Sequence, residues 1–168
     1  MLRTTLIVGA AFMALAACEP KPPEAPPAAE AAVATVAEAD TETRNALLTA
    51  LTGVIEYELG GQRVSFKLET ARTQGDFGWV QATPLTREGA PIDWSKTKYD
   101  EQNREGMLDG GGATRALLQK VNGVWEVKAF DIGSTDVAWG NWPTEYRAPP
   151  ELMGLSGATE EAPTEKDG

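Results

Sequence analysis

The sequence predicts an α+β domain in which an N-terminal helix packs on one face of a four-stranded antiparallel sheet. Three observations predict it. An amphipathic segment covers residues 42–58, two pairs of strand-like segments follow, and a long Gly- and Pro-rich stretch separates the pairs. The expected order is therefore a helix, two strands, a long loop, two strands and a short helical end.

The helix is predicted over residues 42–58. Its apolar side chains recur at helical spacing and project within about a third of the helical circle. They are Leu47, Leu48, Leu51, Val54 and Ile55. Asp40 or Thr41 can cap the beginning of the helix, and Gly60-Gly61 supplies its end.

The first strand pair is predicted at Arg63–Arg72 and Phe77–Thr83, joined by a turn at Gln74-Gly75-Asp76. The first of these segments alternates apolar and polar residues, which is typical of a strand with one buried face. The second is apolar on both faces, with Trp79 on one and Val80 on the other. A strand of that kind usually lies at the centre of a sheet.

Residues 84–113 are expected to form a long loop with a short helix near Trp94–Asn103. Gly110-Gly111-Gly112 within it has two interpretations. A phosphate-binding loop would need a following helix and a Lys-Ser/Thr pair. A strand is predicted to follow instead, so a tight turn or hinge is favoured.

The second strand pair, Thr114–Val121 and Val124–Ile132, flanks Asn122-Gly123, the preferred sequence for a two-residue hairpin turn. The alternation shifts near residues 129–131, which predicts a bulge there. A turn over residues 133–136, with Asp136 capping a short aromatic helical segment within residues 137–146, closes the domain.

This element order is similar to the layout of the cystatin-like and NTF2-like folds. The stretch from Gly133 to Trp139 also resembles a Gly-x-Thr-Asp-Val-x-Trp pattern of uncharacterised bacterial secreted domains. Neither resemblance implies an activity by itself. Some NTF2-like enzymes use an Asp with a Tyr on a concave sheet face, which makes Asp131 with Tyr99 or Tyr146 the candidate pair here.

The first 18 residues form a targeting signal. Arg3 gives a positive start, an apolar run of 12 residues spans 6–17, and Cys18 follows. A membrane-spanning helix needs about 20 apolar residues, so this run fits a signal peptide better. Leu15-Ala16-Ala17-Cys18 resembles the lipobox of bacterial lipoproteins. The alternatives are an ordinary cleaved signal with an incidental cysteine, or a buried structural thiol.

The lipobox resemblance implies that the signal is cut before Cys18 and that its thiol is joined to diacylglycerol, with the new amino terminus acylated. The protein would then be held in the cell envelope on the periplasmic face by its lipid. Glu19 is not the aspartate that retains enteric lipoproteins in the inner membrane. The outer membrane is therefore favoured.

Four segments are expected: a signal peptide at 1–17, a disordered Pro/Ala-rich tether at 18–40, the globular domain at 41–155, and a disordered acidic tail at 156–168. The tether has a net charge of −4, the tail −3 and the domain −4, within a total of −10. Much of the acidity thus lies outside the domain, which suggests solvation rather than an acidic binding site.

Composition excludes several function classes. The chain has no histidine and one cysteine, so it has no Ser-His-Asp triad, Cys-His dyad or ordinary Cys/His zinc site. Its acidic balance argues against nucleic-acid binding. No metal or cofactor is expected, and calcium-loop spacing is absent from the sequence.

The sequence leaves three hypotheses for the domain: a module that binds an envelope protein or small ligand, an NTF2-like enzyme, and a passive structural envelope protein. The binding module is the favoured hypothesis, and the enzyme hypothesis is disfavoured. The candidate ligand- or partner-binding residues are Trp94, Tyr99, Asp131, Trp139 and Trp142. Aromatic side chains in irregular segments are frequent interface anchors, although the three tryptophans could instead close a second small core.

Overall fold

A five-stranded antiparallel sheet forms the centre of the fold, in a computed structural model that describes residues 35–155. The strands lie in chain order: β1 Ala37–Glu38, β2 Val64–Gln74, β3 Phe77–Thr86, β4 Thr114–Val121 and β5 Val124–Ile132. The helices are α1 Thr41–Glu58, α2 Asp100–Arg104 and α3 Trp142–Tyr146. Cys18, the predicted signal peptide, the first part of the predicted tether and the predicted tail lie outside the described residues.

The α+β class is confirmed, but the predicted count of four strands is wrong. The additional strand β1 lies in the segment that the sequence assigns to the tether. It pairs Ala37 with Thr73 and Glu38 with Arg72, and the Glu38 carboxylate accepts a 2.9 Å hydrogen bond from Arg72 Nε. Because it is only two residues long, β1 has no alternating pattern by which the sequence could predict it.

Helix α1 begins and ends as its sequence predicts. The Asp40 carboxylate caps the first turn by accepting hydrogen bonds from the backbone N–H and hydroxyl of Thr43, at 2.9 and 3.0 Å. Leu47, Leu51 and Ile55 are completely buried against the sheet. The helix stops before Gly60, whose φ of +70° is readily adopted only by glycine.

The Asp40 cap predicts an acid-sensitive contribution to stability. Hydrogen bonds from Thr43 lower the pKa of the Asp40 carboxyl below its usual 3.8. This contribution is therefore present above about pH 4 and is lost as the pH falls through the folded-state pKa. Asp40→Asn keeps an acceptor but does not titrate, so its unfolding free energy should fall less than that of the wild type below pH 4. Urea unfolding from pH 7 to 2 measures this, and parallel profiles would contradict it.

The two faces of the sheet carry separate apolar cores. On one face α1 covers a cluster that includes Val80 and Leu118. On the other face Trp79 and Leu117 are covered by the C-terminal residues Trp142, Leu152 and Met153. The expectation that β3 is central and apolar on both faces is confirmed.

Two β-bulges interrupt the sheet. In β5, Leu117 pairs with Ala129 but Leu118 pairs with Val127, which leaves Lys128 without a partner in the register. The predicted bulge is thus present, one residue before the expected range. A second bulge, at Glu69 in β2, is not predicted. Charged residues at bulges near sheet edges discourage pairing with other chains.

The predicted long loop is shorter than expected, because β3 continues to Thr86. The loop contains a short 3-10 helix, Trp94–Lys96, and then α2, in the region where the sequence predicts a short helix. A second 3-10 turn, Asp109–Gly111, leads to β4. This loop returns to the end of β5 and forms one wall of the site described next.

Candidate functional site

An open cleft of about 320 Å³ lies where the loop before β4 meets the segment after β5. Gln102, Met107 and Leu108 line one wall, and residues 132–136 with Ala138 line the other. Met107 is 49% exposed and Val137, next to the lining residues, is 57% exposed. The cleft therefore combines an apolar lining with an accessible apolar rim.

Glycine at position 133 allows the two walls to approach each other. Gly133 accepts a backbone hydrogen bond from Asp109 and donates one to Ala113, both of 2.9 Å. Its φ is +67°, and a Cβ at this position would lie 2.6 Å from Leu108 Cδ2. A side chain at residue 133 would therefore displace the Leu108 side chain and crowd the backbone of Leu108 and Gly112, at 3.3 and 3.4 Å.

The glycine run 110–112 forms a tight turn just after Leu108, between the first wall of the cleft and β4. All three glycines have positive φ, and a Cβ on Gly112 would lie 2.2 Å from Trp94 Cζ2. The ring of Trp94 thus packs directly on the backbone of the turn. The strand β4 follows at Thr114, as the turn interpretation predicts, and the helix that a phosphate loop needs does not.

Three polar side chains on the cleft walls are available for a ligand. The amide of Gln102, the hydroxyl of Thr135 and the carboxylate of Asp136 make no hydrogen bond or ion pair with any part of the chain that the structure describes. All three residues are exposed. The prediction that Asp136 caps the last helix is wrong, because α3 begins six residues later, at Trp142, and its N-cap residue is Asn141.

Asp131 and Arg115 fasten the second wall to the sheet. Arg115 Nη1 lies 3.8 Å from Asp131 Oδ2 and donates a 3.4 Å hydrogen bond to the Ser134 carbonyl. The Ser134 hydroxyl donates to Asp131 Oδ1, and the Arg115 guanidinium lies 4.4 Å from the centre of the Trp139 ring. Since both side chains of the ion pair are largely buried, this network positions residues 133–139.

The predicted Asp–Tyr pair does not form. The Tyr99 hydroxyl donates to Glu58 Oε2 at 3.3 Å, and burial is the main cause that raises the pKa of Tyr99. The pKa of Tyr146 is raised by a hydrogen bond to Glu145. Asp131 has Arg115 and Ser134 as its hydrogen-bond and ion-pair partners, and its negative charge is only the last of the causes that raise the pKa of Tyr99.

The candidate tryptophans occupy packing positions. Trp94 is 8% exposed, with its ring edge-on to Tyr99 at 6.1 Å, and Trp142 is 7% exposed, 6.1 Å from Trp79. Trp139 is half-buried, 5.9 Å from Trp79. Trp94 and Trp142 therefore belong to the two apolar cores, and the ring of Trp139 packs against the Arg115 guanidinium.

A second groove, of about 350 Å³, lies between α1 and the tip of the β4–β5 hairpin. Ala46, Ala50, Val124 and Trp125 line it, and Thr49 adds a polar group. Small side chains on the helix produce this depression. Its lining has few polar groups that could orient a ligand, whereas the first cleft has three polar side chains without a partner in the described part of the chain.

Sequence reasoning identified Asp131 but missed Arg115, Ser134 and the cleft walls. Arg115 within the apolar strand β4 could have predicted an ion pair, because an arginine in a buried strand needs a partner for its charge. Its register opposite Asp131 follows from the hairpin turn at Asn122-Gly123 once the bulge is placed.

Comparison of the chain with protein-family models, with curated proteins and with solved structures finds no match. Among residues 35–155, no helix is long and apolar enough to cross a membrane. Within the same residues, no three carboxylate, thiol or imidazole side chains are grouped as a metal site would require.

Proposed function

We propose that this chain is a lipid-anchored lipoprotein of the bacterial cell envelope whose α+β domain is a binding module for an envelope protein or small ligand. The observation that carries the proposal is the cleft between residues 102–108 and 132–138. The side chains of Gln102, Thr135 and Asp136 on its walls have no partner among residues 35–155, and its rim is apolar and exposed. Backbone hydrogen bonds from Asp109 to Gly133 and from Gly133 to Ala113 join its walls. Binding sites commonly combine an apolar concave surface with a few oriented polar groups in this way.

The anchor is supported by the lipobox-like sequence Leu15-Ala16-Ala17-Cys18. A single acyl chain gives only reversible membrane binding, whereas two or three chains hold a protein firmly. Diacylglycerol on Cys18 and an acylated amino terminus would provide this number. The Pro/Ala-rich residues that follow would then serve as a spacer between the lipid and the domain, in the periplasm and preferably at the outer membrane.

The binding hypothesis is favoured over an enzyme because of what surrounds Asp131. Its carboxylate is neutralised by Arg115 and hydrogen-bonded to Ser134, which suits a structural role. To act as the general base of the enzyme hypothesis, the Asp131 carboxylate would need to be free to face a substrate. The cleft also favours binding over a purely structural role, because the side chains of Gln102, Thr135 and Asp136 have no partner among the described residues and are accessible to a ligand.

Cys18→Ala is expected to abolish the anchor. The wild-type chain, expressed in a bacterial host, should incorporate labelled palmitate and remain with the membranes after a high-salt wash. The variant should incorporate no label and leave the salt-washed membrane fraction once its signal is processed. Glu19→Asp is the matched variant for sorting, since it keeps the lipid and should move the protein toward the inner membrane in an enteric host. An unlabelled wild type, or a Cys18→Ala variant that still incorporates labelled palmitate, would overturn the anchor.

A further inference from the structure

We infer that the cleft between residues 102–108 and 132–138 receives an arginine or lysine side chain presented by a partner protein. The inference rests on the proposed binding function and names the chemistry of its ligand. It follows from the charge of the walls, from the apolar lining, and from the size of the cleft.

The charge around the cleft is negative. Asp136 is the charged side chain among the residues that line it, and the flanking segments 100–109 and 131–138 contain six acidic residues in all and one basic residue, Arg104, which pairs with Asp100 at 3.3 Å. The nearby Arg115 is already engaged with Asp109 and Asp131, at 3.9 and 3.8 Å. The Asp136 carboxylate lies on the wall itself and has no ion-pair partner within residues 35–155. A cation is therefore attracted to this site and an anion repelled, even though the domain as a whole is only mildly acidic.

The apolar lining selects a particular kind of cation. Leu108, Ile132 and Ala138 line the cleft, and the exposed Met107 adds a flexible, adaptable side chain. Lysine and arginine bury their methylene stems along such surfaces and keep their charged ends near water. A fully apolar group would instead bury the carboxylate of Asp136 and the hydroxyl of Thr135 without partners, at a cost.

The size of the cleft limits the occupant. A volume of about 320 Å³ lies at the lower end of the range for small-molecule pockets. One long side chain with its neighbouring peptide groups suits this space and its open shape. Gln102 and Thr135 are placed to bond the polar groups of such a segment, which would leave the remainder of the partner outside.

Short peptides test the inference on the full chain in mild detergent. The probes are acetyl-Leu-Arg-Leu-amide and the same peptide with citrulline or glutamate in place of arginine. Chemical-shift changes at the amides of Ser134, Thr135 and Asp136 report binding. The arginine peptide should give saturable shifts that weaken with salt, and the citrulline peptide should bind at least about fivefold more weakly.

Variants separate the local charge from the total charge. Asp136→Asn should weaken the arginine peptide by about two- to fivefold, as is typical of an exposed ion pair. Glu88→Gln removes the same charge from an exposed turn outside the cleft and should have no effect. Equal weakening by both variants would overturn the inference.

The outcomes distinguish the ligand class from the proposed function. Equal binding of the citrulline or glutamate peptide would overturn the cationic ligand and leave the binding module standing. If none of the three peptides shifts the resonances of residues 132–138, the inference is wrong, and the proposed function loses its cleft. The lipid anchor is decided separately by Cys18→Ala.

Discussion

Replacing Gly112 with alanine is expected to lower the free energy of unfolding by about 2–4 kcal/mol. The new Cβ would lie 2.2 and 2.3 Å from Cζ2 and Cη2 of Trp94, a large ring that is itself buried. The ring cannot move without opening the core beneath α1. The φ of +87° adds the cost of a left-handed conformation for alanine. Urea unfolding followed by tryptophan fluorescence measures the loss.

Gly111→Ala is the matched control. Gly111 also has a positive φ, of +66°, but a Cβ there meets nothing within 4 Å. It should cost only about 1 kcal/mol, the conformational part of the effect. The difference between the two variants therefore measures the clash with Trp94. Equal losses would show that the turn can move away from the ring.

A compensating change tests the same contact independently. Trp94→Leu removes the ring atoms that would meet the new Cβ, so the double variant with Gly112→Ala should be less destabilised than the sum of the single variants. Strict additivity would mean that the clash is relieved elsewhere. Trp94 packs on the loop that contains Gln102, Met107 and Leu108. The energetic coupling between the two substitutions therefore also measures how rigidly the ring holds this wall of the cleft.

Helix α1 and the four long strands could be predicted because each has a pattern that repeats over many residues. The apolar spacing of α1 and the Asn122-Gly123 turn are local signals, and the fold obeys them. β1 could not be predicted, because a two-residue strand is defined by its hydrogen bonds to β2 and not by its own sequence. The predicted end of the tether therefore overlaps the sheet.

The candidate site was harder to predict, because its walls are about 30 residues apart in the chain. Gln102 and Met107 meet residues 132–136 only when the loop before β4 turns back over the end of β5. The pattern from Gly133 to Trp139 marked one wall but gave no information on the other. The prediction that Trp94 and Trp142 bind a partner failed for a related reason. In an irregular segment, burial depends on which sheet face the chain happens to cover, and neither spacing nor composition reports this.

Trp142→Ala is expected to cost about 3–5 kcal/mol of stability, as is usual when a large aromatic side chain is removed from a core. Trp142 is 7% exposed and packs with Trp79, Leu117 and Leu152 on the face of the sheet opposite α1. The variant should unfold at much lower urea concentration. Trp142→Phe should recover part of the loss by refilling some of the volume.

Val137→Ala is the comparison that separates packing from recognition. Val137 is 57% exposed and lies in the same segment, so its truncation should change stability by less than about 0.5 kcal/mol. A Trp142→Ala variant as stable as Val137→Ala would mean that Trp142 is free for a partner, as the sequence suggested. If Trp142→Ala is much less stable than Val137→Ala, Trp142 belongs to the core. Recognition of a partner must then depend on the exposed residues around the cleft. A substitution there that weakens binding without lowering stability identifies a contact with the partner.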